Sequence, residues 1–278
     1  MKKVAPLGYD VIFKKAFTHP NLFTALVKDF IGIELEIDEV EHDKVFVPPV
    51  GNVATKFDLF AEDKKNRVIV EIQHAHYSDS YERFLYYQCS AMVETIISSK
   101  NYRFPMTVFT LVFFTGKKTP SPDSGIIVHD FEPRDFVTGK LLTDIYPRKH
   151  QLFFVFTNDS TSEKAPVPHR EWMQAIYDSL DKQVDEAKYT NPAIQALFEV
   201  IEIDKITPEE RARMKEEDNQ AELETQAFKE GEEKGWKAGR LAEKEETARN
   251  LKALGTLTEE QIASATGLSL EAVKALSN

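Results

Sequence analysis

Hydrophobic positions along the chain change period several times, and each change marks an element. Asp10 to Phe17 carries Val11, Phe13 and Phe17 at helical spacing, and His19-Pro20-Asn21 breaks that helix before a second one from Leu22 to Ile31. Lys44 to Val47 reads as a first strand, ended by Pro48-Pro49. Lys56-Phe57-Asp58-Leu59-Phe60-Ala61 and Val68-Ile69-Val70-Glu71-Ile72-Gln73 flank a charged break at Glu62 to Arg67 and predict a hairpin. Ser78-Asp79-Ser80 is a helix start, and the periodicity predicts a helix from Asp79 to about Lys100.

After Pro105, Met106 to Phe114 is a near-continuous apolar run, the pattern of a central strand buried on both faces. A loop rich in Lys, Pro and Ser from Gly116 to Gly125 precedes two further strands, Ile126 to Val128 and Gln151 to Phe156. From His169 the period is helical again, with Trp172, Ile176 and Leu180 on one stripe and Ile194, Leu197 and Ile201 after Asn191-Pro192. The expected class is α/β: a mixed central β-sheet flanked by helices, with a helical C-terminal extension.

The extension divides in two. Pro208 to Arg249 is charged and helix-forming, with Gly231, Gly235 and Gly239 at every fourth position, a solvated arm or linker that is a candidate for self-association. Thr258-Glu259-Glu260-Gln261 is a capping box, and Gly267 and Ser269 mark the turn into a second short helix, consistent with a helix-turn-helix whose second helix offers only Lys274 as a base. The expected organisation is a core over 1–160, covering helices over 161–205, the arm over 206–250 and the small helical module over 251–278.

Charge narrows the partners. The net charge is −11, with 28 acids against 23 bases in residues 1–200 and 15 against 10 in residues 201–250. Phosphate contacts supply most nucleic-acid affinity, so a DNA surface here must be a local patch or depend on a metal. No apolar stretch long enough for a signal peptide follows Met1, and Val108 to Phe114 is far too short to span a bilayer, so a cytoplasmic location without membrane association is expected. A single cysteine, Cys89, excludes an internal disulfide and is expected on a packed helix face.

The hairpin holds the candidate chemistry. A turn centred between Lys64 and Lys65 sets Asp58 opposite Glu71 and Lys56 opposite Gln73, with side chains about 5 Å apart at Cβ. Two carboxylates so placed repel unless a cation bridges them or one holds a proton. A hard divalent ion such as Mg²⁺ suits them, because it binds through one or two carboxylates and keeps its other positions for water and phosphate oxygen. The alternative at this point is that Val68, Val70 and Ile72 face the core while Glu71 and Gln73 face water. His74 and His76 make a poor zinc pair without a third ligand. Arg83 and Tyr87 share a helix face at i, i+4, and the planar fork of Arg83 suits phosphate or an ion pair with Asp79 or Glu82.

Strand, Asp, turn, strand with Glu-x-Gln, then a helix with Arg-x-x-Tyr-Tyr resembles the PD-(D/E)XK nuclease superfamily, and within it the recombination-promoting nuclease and transposase branch. Tyr9-Asp10-Val11-Ile12-Phe13-Lys14 and Thr266-Gly267-Leu268-Ser269 extend the resemblance over nearly the whole chain. It implies a restriction-endonuclease-like core and a Mg²⁺-dependent endonuclease, with Mn²⁺ as a substitute ion. Asp58, Glu71 and the backbone carbonyl of Ile72 would be the metal ligands, and DNA the partner, in recombination or transposition. Gln73 stands where the motif usually has Lys; it would position water and cannot act as a general base. Asp10 would lend an acid from the first helix, against a reading as a helix-dipole partner. Lys56 is a candidate catalytic cation facing Gln73, against a solvated lysine, and Arg83, Tyr87 and Lys14 are the expected substrate-binding residues. A catalytically weak DNA- or protein-binding module and an RNA-directed enzyme are the other readings.

Overall fold

A computed structural model describes residues 1–47, 53–74, 80–96, 101–116, 122–146, 148–159 and 164–276. Pro48-Pro49, His76 and Asp79, named above, lie outside them. In chain order the elements are β1 (Lys2–Lys3), α1 (Asp10–Phe17), α2 (Pro20–Ile31), β2 (Glu41–Phe46), β3 (Thr55–Glu62), β4 (Asn66–Gln73), α3 (Ser80–Glu94) and β5 (Thr107–Phe114). Then follow β6 (Ile126–Asp130), β7 (Gln151–Phe156), α4 (Val167–Ser179), β8 (Gln183–Val184), α5 (Pro192–Val200), α6 (Pro208–Leu254), α7 (Glu259–Thr266) and α8 (Leu270–Ala275).

Six strands form one mixed sheet in the order β2-β3-β4-β5-β7-β6, with β4, β5 and β7 mutually parallel and the other pairs antiparallel; β1 and β8 pair separately. The apolar run of β5 takes an interior place, and Val108 to Phe114 are buried throughout. One face carries Leu59, Val68, Val70, Leu111 and Phe113 against α1, α2, α4 and α5, where Phe13, Phe23, Trp172 and Leu197 are fully buried. The other face packs Ile69, Val112, Phe114 and Phe154 against Phe84 and Ala91 of α3. A sheet covered on both faces is the restriction-endonuclease-like α/β architecture that the resemblance implied.

Several boundaries differ from the pattern-based reading. α2 begins at Pro20, not Leu22, because proline fits the first helical turn, where its missing N–H has no intrahelical partner to lose; Gly32 ends the helix in the left-handed conformation at φ 77°. β2 starts at Glu41, three residues before the expected Lys44, and α3 ends at Glu94 rather than near Lys100. Cys89 is exposed, not packed.

The chain groups into two compact units, Met1–Glu217 and Asp218–Asn278, so the first turns of α6 belong with the sheet. The second unit has its own small core of Ala248, Ile262 and Val273, with the Thr258–Gln261 capping box formed and Gly267 left-handed at φ 68°. No helix among the described residues is long and apolar enough to cross a membrane.

Candidate active site

The hairpin register is the expected one through four pairs, from Glu62–Arg67 to Leu59–Val70. There the β3–β4 ladder stops, although β3 stays paired to β2 as far as Thr55 and β4 stays paired to β5 as far as Gln73. The two acids fill the gap. The Asp58 N–H donates to Glu71 Oε1 at 3.0 Å, and the Ile72 N–H donates to Asp58 Oδ2 at 3.1 Å. Asp58 and Glu71 therefore meet at the point where the strands part.

Glu71 and Gln73 do not face water: they are 2 % and 9 % exposed, turned toward the α3 side of the sheet. Burial, and then the charge of Asp58, hold the Glu71 carboxyl well above its usual range. Burial and the nearby Asp10 push Asp58 up to about 6. Two acids held in reluctant ionisation, each accepting a backbone N–H, form a site that favours a cation. The Gln73 carbonyl accepts the Thr115 N–H on the β5 side. Because backbone groups alternate sides along a strand, the Ile72 carbonyl is directed to the opposite side, where its own N–H meets Asp58.

Arg83 stands over this pair, its Nη1 3.5 Å from Gln73 Oε1 and its guanidinium 5.4 Å from the Tyr87 ring centre. The Tyr87 ring in turn packs edge-on to Phe57 at 5.5 Å. On the α1 side, Lys14 Nζ donates to Asp10 Oδ2 at 2.7 Å and to Asp43 Oδ1 at 2.9 Å, and lies 3.8 Å from Asp58 Oδ1. Lys56 goes elsewhere than expected: past Leu59–Val70 no ladder holds it across from Gln73, and its ammonium is 2.7 Å from Asp43. His74 bonds the Thr115 hydroxyl at 2.9 Å.

Two participants escaped the sequence reading. Asp43 falls between the pairs His42–Leu59 and Lys44–Phe57, directly across β2 from Asp58, and takes a left-handed φ of 56°. Across that point Phe57 and Leu59, two residues apart, pack into different clusters, so the regular alternation of β3 breaks at Asp58. Burial works against the charge of Asp43, but hydrogen bonds from Lys56, Lys14 and His42 hold it well below the usual carboxylate range. Glu217, in the charged segment, accepts the Asp10 and Val11 N–H groups at 2.9 and 3.3 Å, where Tyr9 supplies no side-chain cap to α1. The positive φ of Asp43 leaves no trace in composition; Glu217 looked like one more solvated acid. A groove of about 690 Å³ runs beside the pair, lined by Asp10, Lys14, Asp43, Lys56, Glu210 and Glu217 among others.

No curated protein and no solved structure matches the chain. Residues 9–232 match the family model described as PD-(D/E)XK nuclease family transposase, a span that takes in α1, the hairpin, α3 and the first half of α6. With four-fifths of its length inside that model and the Asp and Glu-x-Gln of the motif brought together where the strands part, the chain belongs to the PD-(D/E)XK nuclease family of transposases.

Proposed function

We propose that the protein is a metal-dependent DNA endonuclease that hydrolyses phosphodiester bonds, in the service of recombination or transposition. The observation that carries this is the meeting of two acids at the end of the hairpin ladder, Glu71 accepting the Asp58 N–H and Asp58 accepting the Ile72 N–H, both with raised proton affinity. The donor set fits a hard divalent cation: two carboxylates and the Ile72 carbonyl. Among the described residues no group of three or more His, Cys, Asp or Glu side chains is placed to hold a metal ion together; so sparse a set suits Mg²⁺, or Mn²⁺ in its place, which retains several waters. When bound there, the ion would acidify a water and offset charge on the phosphate.

The chain's own residues supply the rest. Hydrolysis bonds a water oxygen to phosphorus and breaks the bond to the leaving oxygen; the water gives up a proton to solvent and the leaving oxygen takes one up. Gln73 can orient that water through its amide but cannot remove its proton. Arg83 presents a planar fork beside Gln73 to a phosphate. Tyr87 fixes the guanidinium by stacking. Asp10 holds Lys14 in the groove. A second reading, a catalytically weak DNA- or protein-binding module on the same fold, is favoured by Gln73 at the lysine position and by the net charge of −11.

Relaxation of supercoiled plasmid with Mg²⁺ or Mn²⁺ and with EDTA separates the two. Asp58→Ala and Glu71→Ala are each expected to lower metal-dependent nicking at least a hundredfold while the circular dichroism spectrum stays that of the parent. Nicking that persists in either purified variant rejects the assignment; loss of folding in both gives the pair a structural role instead.

A further inference from the structure

The position that would ordinarily bring an ammonium to the acid pair is Gln73, and its amide oxygen is approached by Arg83. Lys56 is 63 % exposed and bound to Asp43, so it does not fill the gap. Lys14 does: its side chain is only 13 % exposed, and three carboxylates from three elements surround its ammonium. They are Asp10 of α1 one helical turn back, Asp43 of β2, and Asp58 of β3.

The distances are unequal. Asp10 and Asp43 make full charge-assisted bonds at 2.7 and 2.9 Å, while Asp58 stands off at 3.8 Å. Lys14 is thus anchored by the two acids outside the pair and merely adjacent to the one inside it. Asp43 achieves this from a left-handed backbone conformation that costs a non-glycine residue of the order of 1 kcal/mol. Its side chain binds Lys14 and Lys56 together, which no ordinary strand residue opposite Asp58 is required to do.

We propose that Lys14 is the ammonium that meets the reacting phosphate in this protein, and that Asp43 is the positioning residue that holds it beside Asp58. The proposal rests on the nuclease reading above. Were Asp58 to hold a cation, an ammonium 3.8 Å from its carboxylate would be near any phosphate brought to that cation. Lys14 then has two opposed effects: it competes with the metal for the carboxylates, and it favours charge developing on the phosphate. A lysine that served only to hold α1 to the sheet would still compete with the metal through its charge but would not favour the charge developing on the phosphate.

The test measures Mn²⁺ affinity by calorimetry and plasmid nicking for the full-length protein and for Lys14→Met, Lys14→Arg and Asp43→Asn. Lys14→Met is expected to bind Mn²⁺ roughly tenfold more tightly, since a neighbouring cation is gone, and yet to nick about a hundredfold more slowly. Lys14→Arg should recover part of the cleavage. Asp43→Asn should lower kcat about tenfold with KM for DNA changed less than twofold, because Lys14 is retained but loses an anchor. Wild-type cleavage by Lys14→Met, or Mn²⁺ affinity that stays the same or falls, overturns this inference alone. Wild-type protein that binds Mn²⁺ and cuts nothing overturns the nuclease reading and this inference with it.

Discussion

His150 shows how a single side chain outside the site governs the sheet. Its Nδ1 accepts the Val108 N–H at 2.9 Å and its Nε2 meets the Tyr146 hydroxyl at 2.8 Å, tying the start of β5 to the approach to β7. Burial, aided by repulsion from Arg148, pushes its pKa down to about 4. The folded protein therefore refuses a proton that the unfolded chain accepts near 6.5. Stability from this residue is fully present above about pH 6.5 and is lost as the pH falls toward 4, by about 3 kcal/mol in all. Urea unfolding of the parent and of His150→Gln at pH 7.5 and 4.5 checks it: the variant should lose less stability on acidification than the parent, and equal losses reject the role. At the acid pair the same physics runs the other way, because burial there raises proton affinity and makes a cation welcome.

At the scale of elements, α1 depends on a residue two hundred positions away. Its first N–H groups are bound by Glu217, so the beginning of α6 caps the helix that carries Lys14. The ion pair of Lys15 with Glu210 at 2.8 Å adds a second tie. Glu217→Ala should lower the unfolding free energy by about 1–2 kcal/mol, the usual cost of a lost cap, and Glu217→Gln by less, since its amide oxygen still accepts. A Glu217→Ala protein as stable as the parent in urea would show α1 to be capped by solvent. On the opposite face Arg67 plays a related part, buried against the Phe46 and Phe60 rings and paired with Glu62 and Glu94, which ties the hairpin to the end of α3.

For the whole molecule, the two units make separate cores, and everything assigned to the metal and the phosphate lies within Met1–Glu217. Deleting residues 251–278 removes Ile262 and Val273 from Ala248 but no residue of the sheet. Mn²⁺ affinity and nicking of non-specific plasmid should stay within about twofold of the parent, because the residues proposed to hold the ion and the phosphate all belong to Met1–Glu217. Affinity for DNA is where the deletion is expected to tell. A truncated protein that no longer binds the ion would mean that the C-terminal module completes the site.

Local patterning was enough for most of the elements and for the turn centre that aligns β3 with β4 as far as Leu59–Val70. The apolar run of β5, the charged turn at Asp63 to Lys65 and the two-residue period of the hairpin are short-range signals, and one turn centre sets every cross-strand partner. Whether Glu71 faced water or core was not decided by the hairpin, since alternation looks the same either way; α3 laid over that face buried it. The surroundings of the pair were decided only in three dimensions. Lys14, Asp43 and Glu217 are separated by 29 and 174 positions and meet through the packing of α1, β2 and α6 around the point where β3 and β4 part. Lys56, expected across from Gln73, lies beyond the last β3–β4 pair and pairs instead along β2 with Val45, its ammonium held by Asp43. Short-range periodicity records which residues share a strand or a turn, whereas the electrostatics of a site are set by charges that only tertiary packing brings within a few ångströms.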